Sequence, residues 1–334
     1  MWVAGVALVV CACGRIAFDS VPPDGARAPD DAPRSFDAAV TTKTLLLTGD
    51  GLDYALLSAD GNSWTQERLP STQAWDAAGA SDTAYCVLAG NTDISGQATA
   101  TSSDGVTWQT GSMPAGARWN AVAWDGTKFC AVQTGGSNLA ATSPDCVTWT
   151  SRTMPSSNYW SHVVWTGSQF CAIGLISNVA ATSPDGIHWT SRTLPSSQYW
   201  NGDLVWNGSV FVVMAGFATD GMTASAAFAT SPDGITWTGG TMPSVQVWGG
   251  LAWNGSIFSV VAQGSDVAAT SPDGITWTQR TLPSVQDWML DAWNGSMFVA
   301  VATGSNVFAT SPDGVTWTQG TLPASASWWG LAAK

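Results

Sequence analysis

Charge is scarce in this 334-residue chain: only 10% of residues are charged, and a single glutamate, Glu67, stands among 24 acidic residues. Lysine and arginine number 11 and the formal net charge is −13, which excludes nucleic acid as a partner, because phosphate-backbone affinity comes from basic side chains. Nor is there a basic patch for anionic lipid. The two histidines and six cysteines show no metal-ligand spacing, so no metal or cofactor is expected. A Gly-Xaa-Ser-Xaa-Gly elbow and a glycine-rich phosphate loop are also missing. No apolar run reaches the ~20 residues of a spanning helix, since Arg15 interrupts the first one.

Tryptophan is what the chain has in abundance, 21 in all. The motif Ser-Pro-Asp-Gly-Xaa-Thr-Trp recurs, ending at Trp64, Trp108, Trp149, Trp189, Trp237, Trp277 and Trp317. Eleven residues after each comes a partner: Trp75, Trp119, Trp160, Trp200, Trp248, Trp288 and Trp328. The copies lie mostly 40 to 41 residues apart, with intervals of 44 and 48 at two joints. Self-similarity at this period marks a repeat architecture.

One unit reads as four short strands. From Trp288, an apolar strand leads to Asn294-Gly295, the dipeptide preferred for a type I′ hairpin. A second strand, rich in β-formers, runs from Met297 to Ala302, and Gly304-Ser305 turns the chain into a third. Ser311-Pro312-Asp313-Gly314 makes a tight turn with glycine in the left-handed position, and a fourth strand follows through Trp317. The pattern predicts an all-β, seven-bladed β-propeller of four-stranded antiparallel blades over residues 43–334. The paired tryptophans of the first strand are five apart (Trp119 and Trp124, Trp160 and Trp165, Trp248 and Trp253), an odd interval that predicts opposite faces of the strand. The first unit lacks its first strand and Trp328-Trp329-Gly330-Leu331-Ala332 supplies a spare, so the C-terminal strand is expected to close the first blade.

The box resembles the Asp-box, or bacterial neuraminidase repeat, of sialidase-like propellers, with one residue fewer between Asp and Gly. The resemblance implies a structural box without chemistry of its own. A sialidase also needs three convergent arginines, but Arg68, Arg152, Arg192 and Arg280 share one repeat position in the predicted outermost strand. A non-enzymatic variant is expected.

The N-terminus resembles a bacterial lipoprotein signal: residues 1–12 as signal peptide, Cys13 as the lipidated residue, and 13–42 as a Pro/Asp/Ala-rich tether. The expectation is a lipid-anchored monomer of the cell envelope, meeting the membrane through its anchor only. Such a location permits disulfides among Cys86, Cys130, Cys146 and Cys171. Three of these recur at one repeat position that elsewhere holds Val212, Ser259 and Val299, which favours free core thiols.

Function is sought where the repeat is broken. Asp76, Asn120, His162, Asp203 and Asp291 are polar departures on the predicted innermost strands and the candidates for an axial polar site, with His162, Asp203 and Asp291 as its candidate ligand-binding residues. Residues 217–225 form an insertion, read as a contact loop. The seven partner tryptophans are candidates either for interblade wedges or for a ring of sugar-stacking platforms. The expected role is a non-catalytic scaffold binding a protein or glycan on the propeller face. A multivalent lectin and a glycan-active enzyme using Asp203, Asp291 or His162 are the alternatives.

Overall fold

The computed structural model describes residues 43–90 and 96–334, with two two-residue strands, Val9–Val10 and Gly14–Arg15. Apart from those strands, the signal segment, Cys13 and the tether lie outside the described residues. Every element among the described residues is a strand. Five antiparallel sheets have four strands each, four of them in simple sequence order. A sixth, nine-stranded sheet arises because one 16-residue strand, Thr238–Trp253, ends one four-stranded unit and begins the next, and because Val9 pairs with Trp206 at its edge.

The first strands of the units touch one another in a closed cycle, from Trp75–Ala80 through Trp119–Trp124, Trp160–Trp165, Leu204–Trp206, the second half of Thr238–Trp253, and Trp288–Trp293 to Trp328–Ala333 and back. The ring closes as expected. Trp328–Ala333 pairs antiparallel with Leu45–Gly49, Leu331 opposite Leu47, so the C-terminal strand completes the sheet of the three N-terminal ones. The edge of Leu45–Gly49 is thereby paired, which removes a template for aggregation.

The second strands are buried on both faces and the fourth strands are largely exposed, and the burial does not follow the parity of the tryptophans. In Trp160–Trp165, Trp160 pairs with Gly174, His162 with Ile173 and Trp165 with Phe170, so a bulge adds one residue between them. That residue cancels the odd interval, and both tryptophans enter the same core layer with Phe170 and Ala172. The opposite face, carrying Cys171 and Ile173, packs on Trp200 of the next unit. Each partner tryptophan buries about 150–250 Å², on the order of 4–6 kcal/mol of gross hydrophobic stabilisation.

The turns between first and second strands also differ from the sequence expectation. Trp206 and Phe211 pair across a four-residue loop, and only Gly208 has positive φ, 100°. A type I′ turn would need two such residues; instead Asn207 Oδ1 accepts the Ser209 and Val210 N–H groups. Asn254, Asn294 and Asp125 act in the same way.

The box turn is built alike throughout. In Ser271-Pro272-Asp273-Gly274, the Ser271 hydroxyl donates to Asp273 and accepts the Gly274 N–H, while Asp273 Oδ1 accepts the Ile275 and Thr276 N–H groups. These bonds hold the box carboxyls below the usual range, Asp104 at about 2. The box glycine is left-handed (φ 74° at Gly274) and lies against the preceding unit, where a Cβ would meet Val212 at 2.5 Å. One box lacks glycine. Cys146 sits there at φ 61°, the one non-glycine residue with positive φ among those described, and it is disulfide-bonded to Cys86 of the preceding unit across a Cα–Cα distance of 5.7 Å. The expectation of four free thiols is thus corrected for Cys86 and Cys146; Cys130 and Cys171 are free and buried.

Candidate functional site

The seven partner tryptophans do not form a ring of platforms. Trp119, Trp160, Trp200, Trp248, Trp288 and Trp328 have no exposed surface, and Trp75 only 1%. The indole N–H of Trp160 donates to the Ser156 carbonyl of its own lead-in strand, and that of Trp200 to Ser177 of the preceding unit's third strand. They wedge units together and offer no face to a sugar.

The residues that follow them are less enclosed: Asp76, Asn120, Asn201 and Met289 are half-buried and Trp329 is exposed, while Ser161 and Gly249 are buried. At one end of the central channel a cavity of about 610 Å³ opens among the first strands. Its size falls in the range of small-molecule sites. The position after each partner tryptophan lines much of it, and that position varies among the units: Asp76, Asn120, Ser161, Asn201, Gly249, Met289 and Trp329. All but Gly249 line the cavity. The polar members belong to four consecutive units, and Met289, Leu290 and Trp329 make an apolar arc opposite.

His162 and Asp203 meet within the polar arc. His162 Nε2 lies 3.5 Å from Asp203 Oδ1, and His162 Nδ1 lies 2.8 Å from the Ser161 hydroxyl. Asp203 Oδ2 accepts the Leu251 N–H, which fixes the carboxylate against the next strand. Asn120 Nδ2 donates to the Ser161 carbonyl, and Asn201 Oδ1 accepts the Gly216 N–H. Asp76 is half-buried; its desolvation pushes its pKa to about 7 although the Arg118 charge draws it down. Arg118 Nε is buried without a hydrogen-bond partner.

Asp291 is not part of the channel site. It pairs opposite Ala300 and faces the layer that holds Trp288, with 1% exposure and neither oxygen hydrogen-bonded. Burial raises it well above the usual carboxylate range; the nearby Ser259 hydroxyl opposes the rise and the Asp203 charge adds to it.

The insertion builds part of the rim. Phe217 bridges to Tyr199 and stands edge-on to it, ring centroids 5.8 Å apart at 87°. Asp220 accepts the Met222 and Thr223 N–H groups and holds Met222 out at 86% exposure. Tyr159 and Tyr199, which precede partner tryptophans, line the cavity with Phe217. Trp329, 37% exposed, was not anticipated as a site residue. Its signal was a second tryptophan where the other units place Asp, Asn, Ser, Gly or Met. The rim arginines stay apart: Arg152, Arg192 and Arg280 each donate from Nε to a threonine of their own sheet.

No protein family matches the sequence. No curated protein matches it either. Solved structures do. A streptogramin B lyase is 9% identical with a TM-score of 0.66, over 89% of this chain and 94% of its own. Virginiamycin B lyase from Staphylococcus aureus is 11% identical with a TM-score of 0.62, over 74% and 84%. Apo AztD from Citrobacter koseri is 9% identical with a TM-score of 0.58, over 88% and 98%. These are β-propeller proteins. The fold is a β-propeller. At such identities the likeness carries architecture alone, and the propeller's function must be argued from its own residues.

Proposed function

We propose that the chain is a seven-bladed, lipid-anchored binding scaffold of the bacterial cell envelope, non-catalytic, that takes its ligand at the channel mouth. The carrying observation is the location of the broken symmetry: four of the five polar departures from the repeat, Asp76, Asn120, His162 and Asp203, gather on consecutive units around one cavity. The closed cycle of first strands supports seven blades, with Thr238–Trp253 serving two of them. The box hydrogen bonds support the Asp-box reading. The Cys86–Cys146 bridge supports an oxidising compartment such as the envelope.

The His162–Asp203 contact favours a second reading, a glycan-active enzyme, since a carboxylate next to imidazole can serve proton transfer. The two are tested together on a panel of envelope glycans and peptides, by binding and by turnover. A scaffold binds without turnover, and His162→Ala or Asn201→Ala abolishes binding while Ile275→Ser at an exposed box turn leaves it intact. Binding indifferent to the channel substitutions overturns the channel site, and turnover lost in Asp203→Asn establishes the enzyme instead.

A further inference from the structure

The proposed scaffold leaves the ligand's chemistry open, and the cavity wall narrows it. Three carboxylates line the cavity, Asp76, Asp203 and Asp287, against one fixed cation, Arg118. Arg118 acts on Asp76, whose burial raises its pKa to about 7 and leaves it about half-ionised at pH 7. Asp203 and the exposed Asp287 remain without a basic side chain of fixed charge beside them in the cavity. The whole chain adds a field of the same sign, with a formal net charge of −13. A low-dielectric cleft of one sign concentrates ligands of the other.

The second observation is aromatic and independent of charge. Tyr159, 46% exposed, Tyr199 and Phe217 stand along the cavity wall, and Phe217 is there because of the insertion. Gly136 leaves room for Tyr159, whose ring carbon lies 3.2 Å from where a Cβ would stand. Aromatic faces beside carboxylates suit an organic cation: the ring quadrupole attracts the charge, and the ring also covers the cation's apolar stem.

Resting on the scaffold reading, we propose that the channel mouth recognises an ammonium or guanidinium group carried on an apolar stem, the cation toward Asp203 and Asp287 and the stem against Tyr159, Tyr199 and Phe217. The group could be a lysine or arginine side chain of a partner or a free amine; the chemistry is shared.

The experiment is isothermal titration calorimetry of the full chain with 4-phenylbutylammonium, its neutral counterpart 4-phenylbutanol, and chitotriose. The expected result is that the amine binds at least about tenfold more tightly than the alcohol, with added salt reducing the difference. Asp203→Asn should remove most of that preference, and Tyr159→Ala should weaken both probes; unchanged melting temperatures show that the variants fold. Equal binding of amine and alcohol overturns the inference, as does a preference that survives both Asp203→Asn and Asp287→Asn. Tyr159-dependent binding of chitotriose alone overturns it in favour of a neutral polyol and leaves the scaffold standing. If no probe binds, the inference falls, and the scaffold reading falls with it only when the glycan and peptide panel also finds nothing. A basic peptide on that panel, bound through Asp203, identifies the source as a protein partner.

Discussion

Replacing Cys146 with glycine restores the residue that the other six boxes carry, and it should still cost stability. The Cys86–Cys146 bridge closes a loop with a sequence separation of 60 residues. On the chain-entropy account, a loop of that length restrains the unfolded chain by about 4 kcal/mol. Against this, Cys146 is held at φ 61°, a left-handed conformation that costs a non-glycine residue about 1–2 kcal/mol. Cys146→Gly loses the first term and recovers the second, a net loss of about 2–3 kcal/mol. For a domain of this size that lowers the melting temperature by about 3–5 °C. Reduced wild type loses the bridge but keeps the strain, so it should lie below the glycine variant, and Cys146→Ala should match it. Calorimetric melting of the three proteins, with and without reductant, gives the order oxidised wild type, then Cys146→Gly, then reduced wild type with Cys146→Ala. If Cys146→Gly melts below reduced wild type, or if reductant leaves wild type unmoved, the reasoning from loop length and left-handed strain is refuted.

Gly186 holds the equivalent place opposite free Cys130, where a Cβ would lie 3.3 Å from its sulfur, so Gly186→Cys should form a second bridge. A thiol titration of the unfolded, unreduced variant should find two free thiols fewer among the cysteines than an unbridged protein would show. Asp291 occupies a position where the other units carry Ala78, Val122, Val163, Leu204, Leu251 and Leu331, so Asp291→Val should stabilise by about 1–3 kcal/mol, read by denaturant unfolding. Its raised folded pKa means the native state keeps a proton that the unfolded state releases; wild type should therefore lose stability as pH rises from about 4 toward the folded pKa, a slope absent in the valine variant. The box carboxyls act oppositely: with folded pKa values depressed, their stabilisation is present above about pH 4 and is lost as pH falls through the folded values, so acid titration by circular dichroism should show unfolding there, at higher pH in Asp233→Asn. Trp288→Phe, which loses the bond from Nε1 to the Ser284 carbonyl, should destabilise more than Trp248→Phe, whose Nε1 has no partner, by about 1 kcal/mol in the same unfolding measurement.

The architecture was legible because repetition multiplies a weak signal. A single Asp-Gly turn or a single apolar strand is ambiguous, but the constant interval from Trp277 to Trp288 and from Trp317 to Trp328 fixes strand order and even the closure by Trp328–Ala333. The disulfide was missed, because the informative residue is Cys146. Attention to Cys86, Cys130 and Cys171 as one repeat position points to free thiols; Cys146 in place of a left-handed glycine points to a bond that offsets its strain. Which face each side chain takes was not legible, because a bulge leaves no mark in composition. Trp160 and Trp165 share a layer only because one residue between them is unpaired with the second strand.

Asp203 and Asp291 show how far that single residue reaches into function. Both lie three residues after a partner tryptophan, so the repeat puts them in one column. The strand after Trp200, however, is one residue longer: Trp200 and Trp206 are six apart, whereas Trp288 and Trp293 are five. Leu204 therefore pairs with Val213 as Asp291 pairs with Ala300, and Asp203 shifts to the register of His162. A one-residue slip in a strand exchanges core for solvent. Asp203 meets imidazole at the channel, and Asp291 is shut among tryptophans without a hydrogen bond. The interval between paired tryptophans, counted unit by unit, separates the aspartate that can touch a ligand from the one that cannot. In a repeat of this kind, insertions of one residue are as informative about the site as changes of residue type.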